Sequence, residues 1–205
     1  MHALDLGLID FMQAYSLQKD CVREVQEGAG ERILSCEHPT VITQGRSSRP
    51  EHLLVGIDQL REQGIPVLNI DRGGDVTLHT PGQLVVYPIV DLRRRGRDLK
   101  VYIRLLEQAA IDLLRDLHID ARRHPPHTGV WVNDRKIASL GIGVSKWIAY
   151  HGIALNISPD LRLFSLIRPC GLDVRMTSVC DLTGVEMDVD WIKQTFTEHL
   201  FRLFK

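Results

Sequence analysis

The chain lacks an excess of charge of either sign: 25 Lys and Arg stand against 26 Asp and Glu, a net charge of -1 over 205 residues. That balance excludes a global field able to hold a polyanion, so nucleic acid is not an expected partner and any charged partner must be met by a local patch. Long hydrophobic runs are missing too. The longest, Leu84 to Val90, carries Pro88 and falls far short of the roughly 18 residues a membrane span needs, so no membrane association is expected. Asp5 and Asp10 occupy the N-terminal stretch and no basic n-region precedes it, which does not read as a secretory signal; a cytoplasmic protein is expected. Cysteine is scarce. Cys21, Cys36, Cys170 and Cys180 form no C-x-x-C pair, which argues against a disulfide framework and a zinc knuckle, so free thiols and no metal are expected. Internal repeats and low-complexity tracts are also lacking.

What is present suffices for one folded domain. Hydrophobic residues make up 44% and charged residues 25%, ordinary values for a globular chain with a sizeable core. Leu8, Phe11, Met12, Tyr15, Val22 and Val25 recur at helical spacing, and Gly28 and Gly30 end that run. Arg32 to Cys36 reads as a strand, with a second extended piece at Val41 and Ile42 after His38-Pro39. A short helix is expected around His52 to Gln63, stopped by Gly64. Val67 to Ile70, Val76 to Thr80 and Leu84 to Val90 then read as strands separated by Gly- and Pro-containing turns. The clearest helix is Leu99 to Leu117 with Asp98 as N-cap. Gly129 to Val132, Lys136 to Val144 and Trp147 to Ile157 read as a meander turning at Asn133-Asp134 and Ser145-Lys146. A final helix, Asp190 to Phe204, is expected to turn Trp191, Ile192, Thr195, Phe196, Leu200 and Leu203 inward. The fold class is α+β (mixed α/β), on a largely antiparallel sheet flanked by helices.

Four stretches carry unusual residues. Asp71 to Gln83 contains Arg72-Gly73-Gly74-Asp75-Val76-Thr77-Leu78-His79, where paired glycines after a strand serve either a tight turn or a close approach of backbone to ligand. His79 is then either a satisfied strand histidine or a base. In Lys136-Ile137-Ala138-Ser139-Leu140-Gly141, strict alternation puts Lys136, Ala138 and Leu140 on one apolar face. Lys136 there is either a strand-end residue snorkelling to water or a desolvated lysine fit for proton transfer. The third stretch is His151-Gly152-Ile153-Ala154-Leu155-Asn156. In the fourth, Pro169-Cys170-Gly171, a thiol between Pro and Gly lies in a turn where the backbone can present Sγ, and nearby N–H groups can face an oxyanion. Cys21 and Cys36 fall in helix and strand patterns and read as incidental thiols.

Taken together these stretches resemble the lipoyl(octanoyl) transferases, through R-G-G-x-x-T-x-H at Arg72 to His79, K-I-A-x-x-G at Lys136 to Gly141, H-G-x-A-L-N at His151 to Asn156 and P-C-G at Pro169 to Gly171. The resemblance runs over about residues 18–180. It implies the fold of the biotin and lipoate protein ligase catalytic domain, here as one catalytic domain over residues 1–205. It also implies transfer of an octanoyl group from octanoyl-acyl carrier protein to a lysine of a lipoyl domain, in a 2-oxoacid dehydrogenase complex or the glycine cleavage H protein, as a first step of lipoate formation, with no cofactor. By match, Cys170 carries the acyl group and Lys136 partners it. Arg72, Gly73, Gly74, Asp75, Val76, Thr77, Leu78, His79, Ser139, Leu140, Gly141, Gly152, Ile153 and Ala154 line the acyl site, with His151 and Gly171 in support.

The family usually has H-G-P-G-Q where this chain has His79-Thr80-Pro81-Gly82-Gln83. Thr80 is expected either to be strained at positive φ or to narrow the site, altering acyl fit without abolishing activity. An eight-carbon chain has about six methylenes worth roughly 0.8 kcal/mol each, on the order of 5 kcal/mol in all, so the expected site is a narrow apolar tunnel. The run Arg93-Arg94-Arg95-Gly96-Arg97 is either a solvated loop or a docking patch for an acidic carrier. Three other readings stay open: an ATP-dependent lipoate-protein ligase of the same fold, a non-catalytic protein that binds lipoyl domains, and a thioesterase using Cys170 with His79 or His151.

Overall fold

The computed structural model describes residues 1–168 and 174–205. At its centre lie β6 (Gln83–Asp91) and β10 (Ile148–Asn156), both buried along their whole length. With period-two geometry, Leu84, Val86 and Val90 of β6 join one core and Val85, Tyr87 and Ile89 the other. Each face needs its own cover. The amphipathic helices α3 (Leu99–Asp116) and α5 (Val189–Leu203) cover the first, and α1 (Phe11–Gln26) covers the second.

The main sheet runs β1 (His2–Leu8), β2 (Arg32–Glu37), β6, β10, β9 (Arg135–Ser145), β8 (His127–Val132), β7 (Arg122–His124), and β11 (Arg175–Met176) joins β9. Its pairs are antiparallel except β1 with β2 and β11 with β9. A smaller sheet of β4 (Val67–Asn69), β3 (Val41–Gln44) and β5 (Val76–His79) has its own core of Ile42, Leu60, Leu78 and Phe164, in which Leu60 comes from α2 (Ile57–Glu62). The mixed, mostly antiparallel architecture flanked by helices is the expected one.

Caps fix where the long helices begin. Asp10 Oδ1 accepts from the N–H groups of Met12 and Gln13 at 2.8 and 3.1 Å, and Asp98 Oδ1 does the same for Lys100 and Val101 at 2.8 and 3.0 Å. Three expectations are corrected. Leu8 belongs to β1, an edge strand that is mostly exposed and is held by backbone pairing, so it shows no alternation to read. The expected helix at His52 to Gln63 divides into a 3₁₀ turn, Pro50–His52, and α2. Trp191 is 43% exposed, because the buried stripe of α5 is Ile192, Phe196 and Leu200, and Trp191 lies one residue, about 100°, away from it.

The arginine run is no uniform patch. Arg93 forms a two-pronged pair with the buried Asp91 carboxylate, both contacts at 2.8 Å. Arg95 turns inward, meeting Glu31 at 2.5 and 2.8 Å and donating to the Phe204 carbonyl at 2.6 Å. Arg94 stays exposed. Arg95→Ala should therefore lower stability by about 3 kcal/mol, since it strands a largely buried carboxylate. Arg94→Glu should shift the urea midpoint little. Equal shifts for the two variants in urea denaturation would contradict this division.

Candidate active site

Two cavities adjoin where the small sheet faces the main sheet. One is a narrow slot of about 40 Å³ lined by Phe11, Val85, Tyr87 and residues of all three described motif stretches. The other is an open cleft of about 600 Å³, lined among others by Ser47, Arg49, His52, Ile103, His127, Thr128 and Lys136. Gly74, Asp75, Leu140 and Gly141 line both, so they mark where the slot meets the cleft.

The slot exists because backbone approaches backbone. Gly73 N–H donates to the Ile142 carbonyl at 2.7 Å, laying the loop of residues 71–75 on β9. Arg72, buried, straps that loop to the small sheet: its guanidinium donates to the Thr43 carbonyl at 2.7 Å, to Thr43 Oγ1 at 3.0 Å and to the Gly73 carbonyl at 3.1 Å. A Cβ at Gly141 would lie 2.8 Å from Arg72 Cδ and 3.0 Å from Gly73 O. Only glycine admits this contact.

Two breaks in the sheet's period deliver polar side chains to the slot face. In β9 the register slips at Ile137: Lys136 pairs with Trp131 and Ala138 with Val130. This β-bulge puts Lys136 and Ala138 on opposite faces, which corrects the strict alternation expected from the sequence and moves Lys136 to the side of Ser139 and Gly141. Lys136 is 3% exposed, so it does not snorkel. Its Nζ lies 5.5 Å from the Trp131 ring centre, and Gly129 at φ +132° leaves room for its stem, since a Cβ there would meet Lys136 Cε at 2.5 Å. In β10, His151 sits in the left-handed region at φ +56°. Alternation assigns it to the α3 side, with Ala149 and Ile153. The left-handed turn swings it to the α1 side, where it stacks on Tyr15 at 5.4 Å and tilts against Tyr150 at 4.9 Å. Its N–H donates to the Gln18 side chain at 2.8 Å.

The imidazoles around the slot are neutral at pH 7. Burial pushes His79 well below its usual value, with His38 and Arg72 adding to the effect. Its Nδ1–H donates to Gln83 Oε1 at 3.2 Å, and the Gln83 amide continues to Asn156 Oδ1 at 2.9 Å. Burial also lowers His38, whose Nδ1–H donates to the Ile9 carbonyl while Nε2 accepts from Tyr87 OH, both at 2.7 Å. His151 is lowered to about 4 by burial, against the pull of Asp71. Burial alone would raise Asp71, but hydrogen bonds from Lys19 (2.6 Å), Tyr150 (2.6 Å) and His151 (3.0 Å) hold it well below the usual carboxylate range.

Arg72, Gly74, Asp75, Val76, Thr77, His79, Ser139, Leu140, Gly141, Gly152, Ile153 and Ala154 all line the slot, and His151 with them. Gly73 lines the cleft instead. Leu78 lines neither: it is fully buried in the small-sheet core. Thr80 is not among the residues at positive φ, and its Oγ1 meets Thr40 Oγ1 at 2.9 Å rather than lining the slot, so neither strain nor narrowing follows from it. Cys170 and Gly171 lie outside the described residues. The chain on either side is anchored at the cleft: Arg168 N–H donates to the His52 carbonyl at 2.8 Å, Met176 stands in register with Lys136, and Thr177 N–H donates to the Lys136 carbonyl at 3.0 Å. Phe11, Val85 and Tyr87 are slot residues that carry only an apolar periodicity in the sequence, a signal shared with ordinary core. Asp71 and Lys19, which organise His151, lie 52 residues apart and carry no joint signal.

A family model, the lipoyl protein ligase A/B catalytic domain, matches residues 10–201. Proteins named octanoyltransferase are similar along nearly the whole chain: that of Solibacter usitatus is 48% identical over 97% of this chain and 90% of its own, and that of Syntrophobacter fumaroxidans 44% over 98% and 90%. Among solved structures, a lipoate-protein ligase A bound with ATP superposes with a TM-score of 0.82 at 18% identity, covering 99% of this chain and 85% of that one. A biotin protein ligase from Aquifex aeolicus gives 0.55 at 12%, covering 99% and 68%. At those identities the likeness is one of fold.

The depressed His151 makes stability depend on pH. Between pH 6.5 and about 4 the unfolded chain binds a proton at this residue that the folded chain does not, so stability falls on acidification, by about 3 kcal/mol across that window. Asp71 contributes in the other range, losing its stabilisation only as pH falls below the ordinary carboxylate value. His151→Asn, which tolerates left-handed backbone, should give a shallower fall in urea midpoint from pH 6.5 to 4 than the wild type. Parallel curves for the two proteins would contradict it.

Proposed function

The chain belongs to the lipoyl protein ligase A/B catalytic-domain family, and we propose that it moves an octanoyl group from octanoyl-acyl carrier protein to a lysine of a lipoyl domain through a thioester on Cys170. The observation that carries this reading is a narrow slot, ringed by apolar side chains and uncharged imidazoles, that opens into a cleft walled by the buried Lys136. A slot of that kind takes an alkyl chain by apolar burial. Its junction with the cleft leaves the chain's carbonyl where a large partner can reach it. Residues 169–173 join segments tied to His52 and to Lys136, which supports a meeting of Cys170 and Lys136 at the cleft.

In the first step the Cys170 thiolate attacks the carbonyl of the donor thioester. The carrier's sulfur leaves with a proton from the Lys136 ammonium, and one thioester replaces another. In the second step the acceptor lysine's amine attacks the Cys170 thioester, an amide forms, the Cys170 sulfur leaves, and Lys136, now neutral, takes the amine proton. Thioester to amide is downhill, so no ATP enters. Lipoyl domains of 2-oxoacid dehydrogenase complexes or the glycine cleavage H protein are the acceptors, the whole chain acts as one catalytic domain, and its place is the cytoplasm. No described helix is long and apolar enough to cross a membrane.

Incubation with octanoyl carrier protein should give a hydroxylamine-labile octanoyl adduct by intact mass, absent from Cys170→Ser. Lys136→Met should slow transfer by on the order of 10²- to 10⁴-fold. A labile adduct that persists in Cys170→Ser, or modification of the acceptor from free octanoate with ATP and Mg²⁺ but not from the carrier thioester, would overturn the proposal in favour of another nucleophile or of a ligase.

A further inference from the structure

None of the motif stretches contains Phe11, yet it lines the slot. It is the first residue of α1, held there by the Asp10 cap, and it is 3% exposed. Its ring stacks on His79 at 5.7 Å with planes 19° apart and tilts against His38 at 5.2 Å. His38 is fully buried behind it and spends both ring nitrogens on Ile9 and Tyr87, so the ring has a fixed backing. Phe11, Val85 and Tyr87 line the slot and not the cleft, whereas Leu140, Gly141, Gly74 and Asp75 line both. The aromatic group therefore lies away from the mouth, where an alkyl chain reaching in from the cleft runs out of room.

We infer that Phe11, backed by His38 and flanked by His79 and Tyr87, is the floor of the acyl slot and sets the length of the alkyl chain this protein accepts. The inference rests on the acyl-transfer reading and adds to it the residue that determines specificity. The floor is rigid for three local reasons. The Asp10 cap fixes the first turn of α1, two imidazoles hold the ring, and the His38–Tyr87 hydrogen bond ties the backing to β6. A closed floor discriminates more sharply than a greasy surface would. On an open surface each further methylene adds about 0.8 kcal/mol, close to fourfold in affinity, without limit, whereas a methylene that meets Phe11 finds close-packed atoms and must displace them.

The test measures acylation of the enzyme by a series of carrier-bound acyl thioesters from six to twelve carbons, read as kcat/KM by intact mass. In the wild type, acylation should rise with chain length and then break off sharply. A smooth rise through twelve carbons would overturn the inference without any variant. Phe11→Ala should shift the break to longer chains, raising the dodecanoyl-to-octanoyl ratio by about fourfold for each methylene the opened space takes in. Phe11→Trp should shift it the other way, favouring hexanoyl over octanoyl. Phe11→Leu, a smaller truncation, serves if the alanine variant fails to fold. A folded Leu or Trp variant with the wild-type length profile overturns the assignment of the floor. Failure of every thioester to acylate the wild type would instead overturn the acyl-transfer reading itself.

Discussion

The hydrogen bond from Gly73 N–H to the Ile142 carbonyl, with the Arg72 guanidinium clamped on Thr43 beside it, is the contact on which the rest of the site depends. It joins two sheets that otherwise have separate cores. It holds one wall of the slot in place, since Gly74, Asp75, Val76 and Thr77 follow directly on this contact. The contact needs three conditions at once: no side chain at Gly141, an amide free to donate at Gly73, and a cation whose donors are satisfied where it is buried. Arg72 meets the last by spending its fork on two oxygens of one threonine and on its own neighbour's carbonyl.

Given that scaffold, the chemistry is delivered by departures from regular structure. A strand that kept strict alternation from Lys136 to Leu140 would point Lys136 away from the slot face, and a β10 without a left-handed residue would bury His151 against α3. The bulge at Ile137 and the positive φ at His151 correct both. Each is supported by a residue whose reason lies elsewhere. Gly129 makes room for the lysine stem, and the Gln18 side chain accepts from the His151 amide. A left-handed residue other than glycine costs of order 1–3 kcal/mol and persists only where surrounding contacts determine it, as at His151. Here those contacts run from α1 to β10 through Asp71, Lys19 and Tyr150.

The uneven legibility of these features in the sequence has a physical cause. α3 and its Asp98 cap, the fully buried β6 and the β8–β10 meander are stated by local periodicity and turn chemistry, which act over a few residues. The resemblance singled out three described stretches far apart in the chain, and nearly all the residues it named in them come together around one slot. The face on which Lys136 stands was not legible, because a bulge shifts the parity of a strand without any mark in composition. Trp191 was misplaced for a similar reason: the helical stripe is narrower than the set of apolar residues along it. β1 was invisible because an edge strand held by backbone hydrogen bonds needs no hydrophobic pattern. Phe11 and Tyr87 were visible only as core, since a wall against an alkyl chain and a wall against another side chain demand the same atoms.

The division between slot and cleft also separates two kinds of requirement. Around the slot, burial keeps His38, His79 and His151 uncharged, and the Arg72 guanidinium in its wall is already hydrogen-bonded to Thr43 and Gly73, so an alkyl chain entering it meets no imidazolium. His52 and Lys136 line the cleft and not the slot, and Asp75, which His52 contacts, lies where the two meet. On the proposed reading, reactivity then belongs to the mouth and chain length to the floor, and the two are set by different elements. β9 with its bulge places the lysine, while the first turn of α1, fixed by the Asp10 cap, places the ring. Because both ends are referred to one sheet face, the distance between floor and mouth is a property of β9 and of β6 and β10, which are buried along their whole length. An acyl site built this way can change its preferred length by exchanging one aromatic residue while leaving the reacting groups where they are.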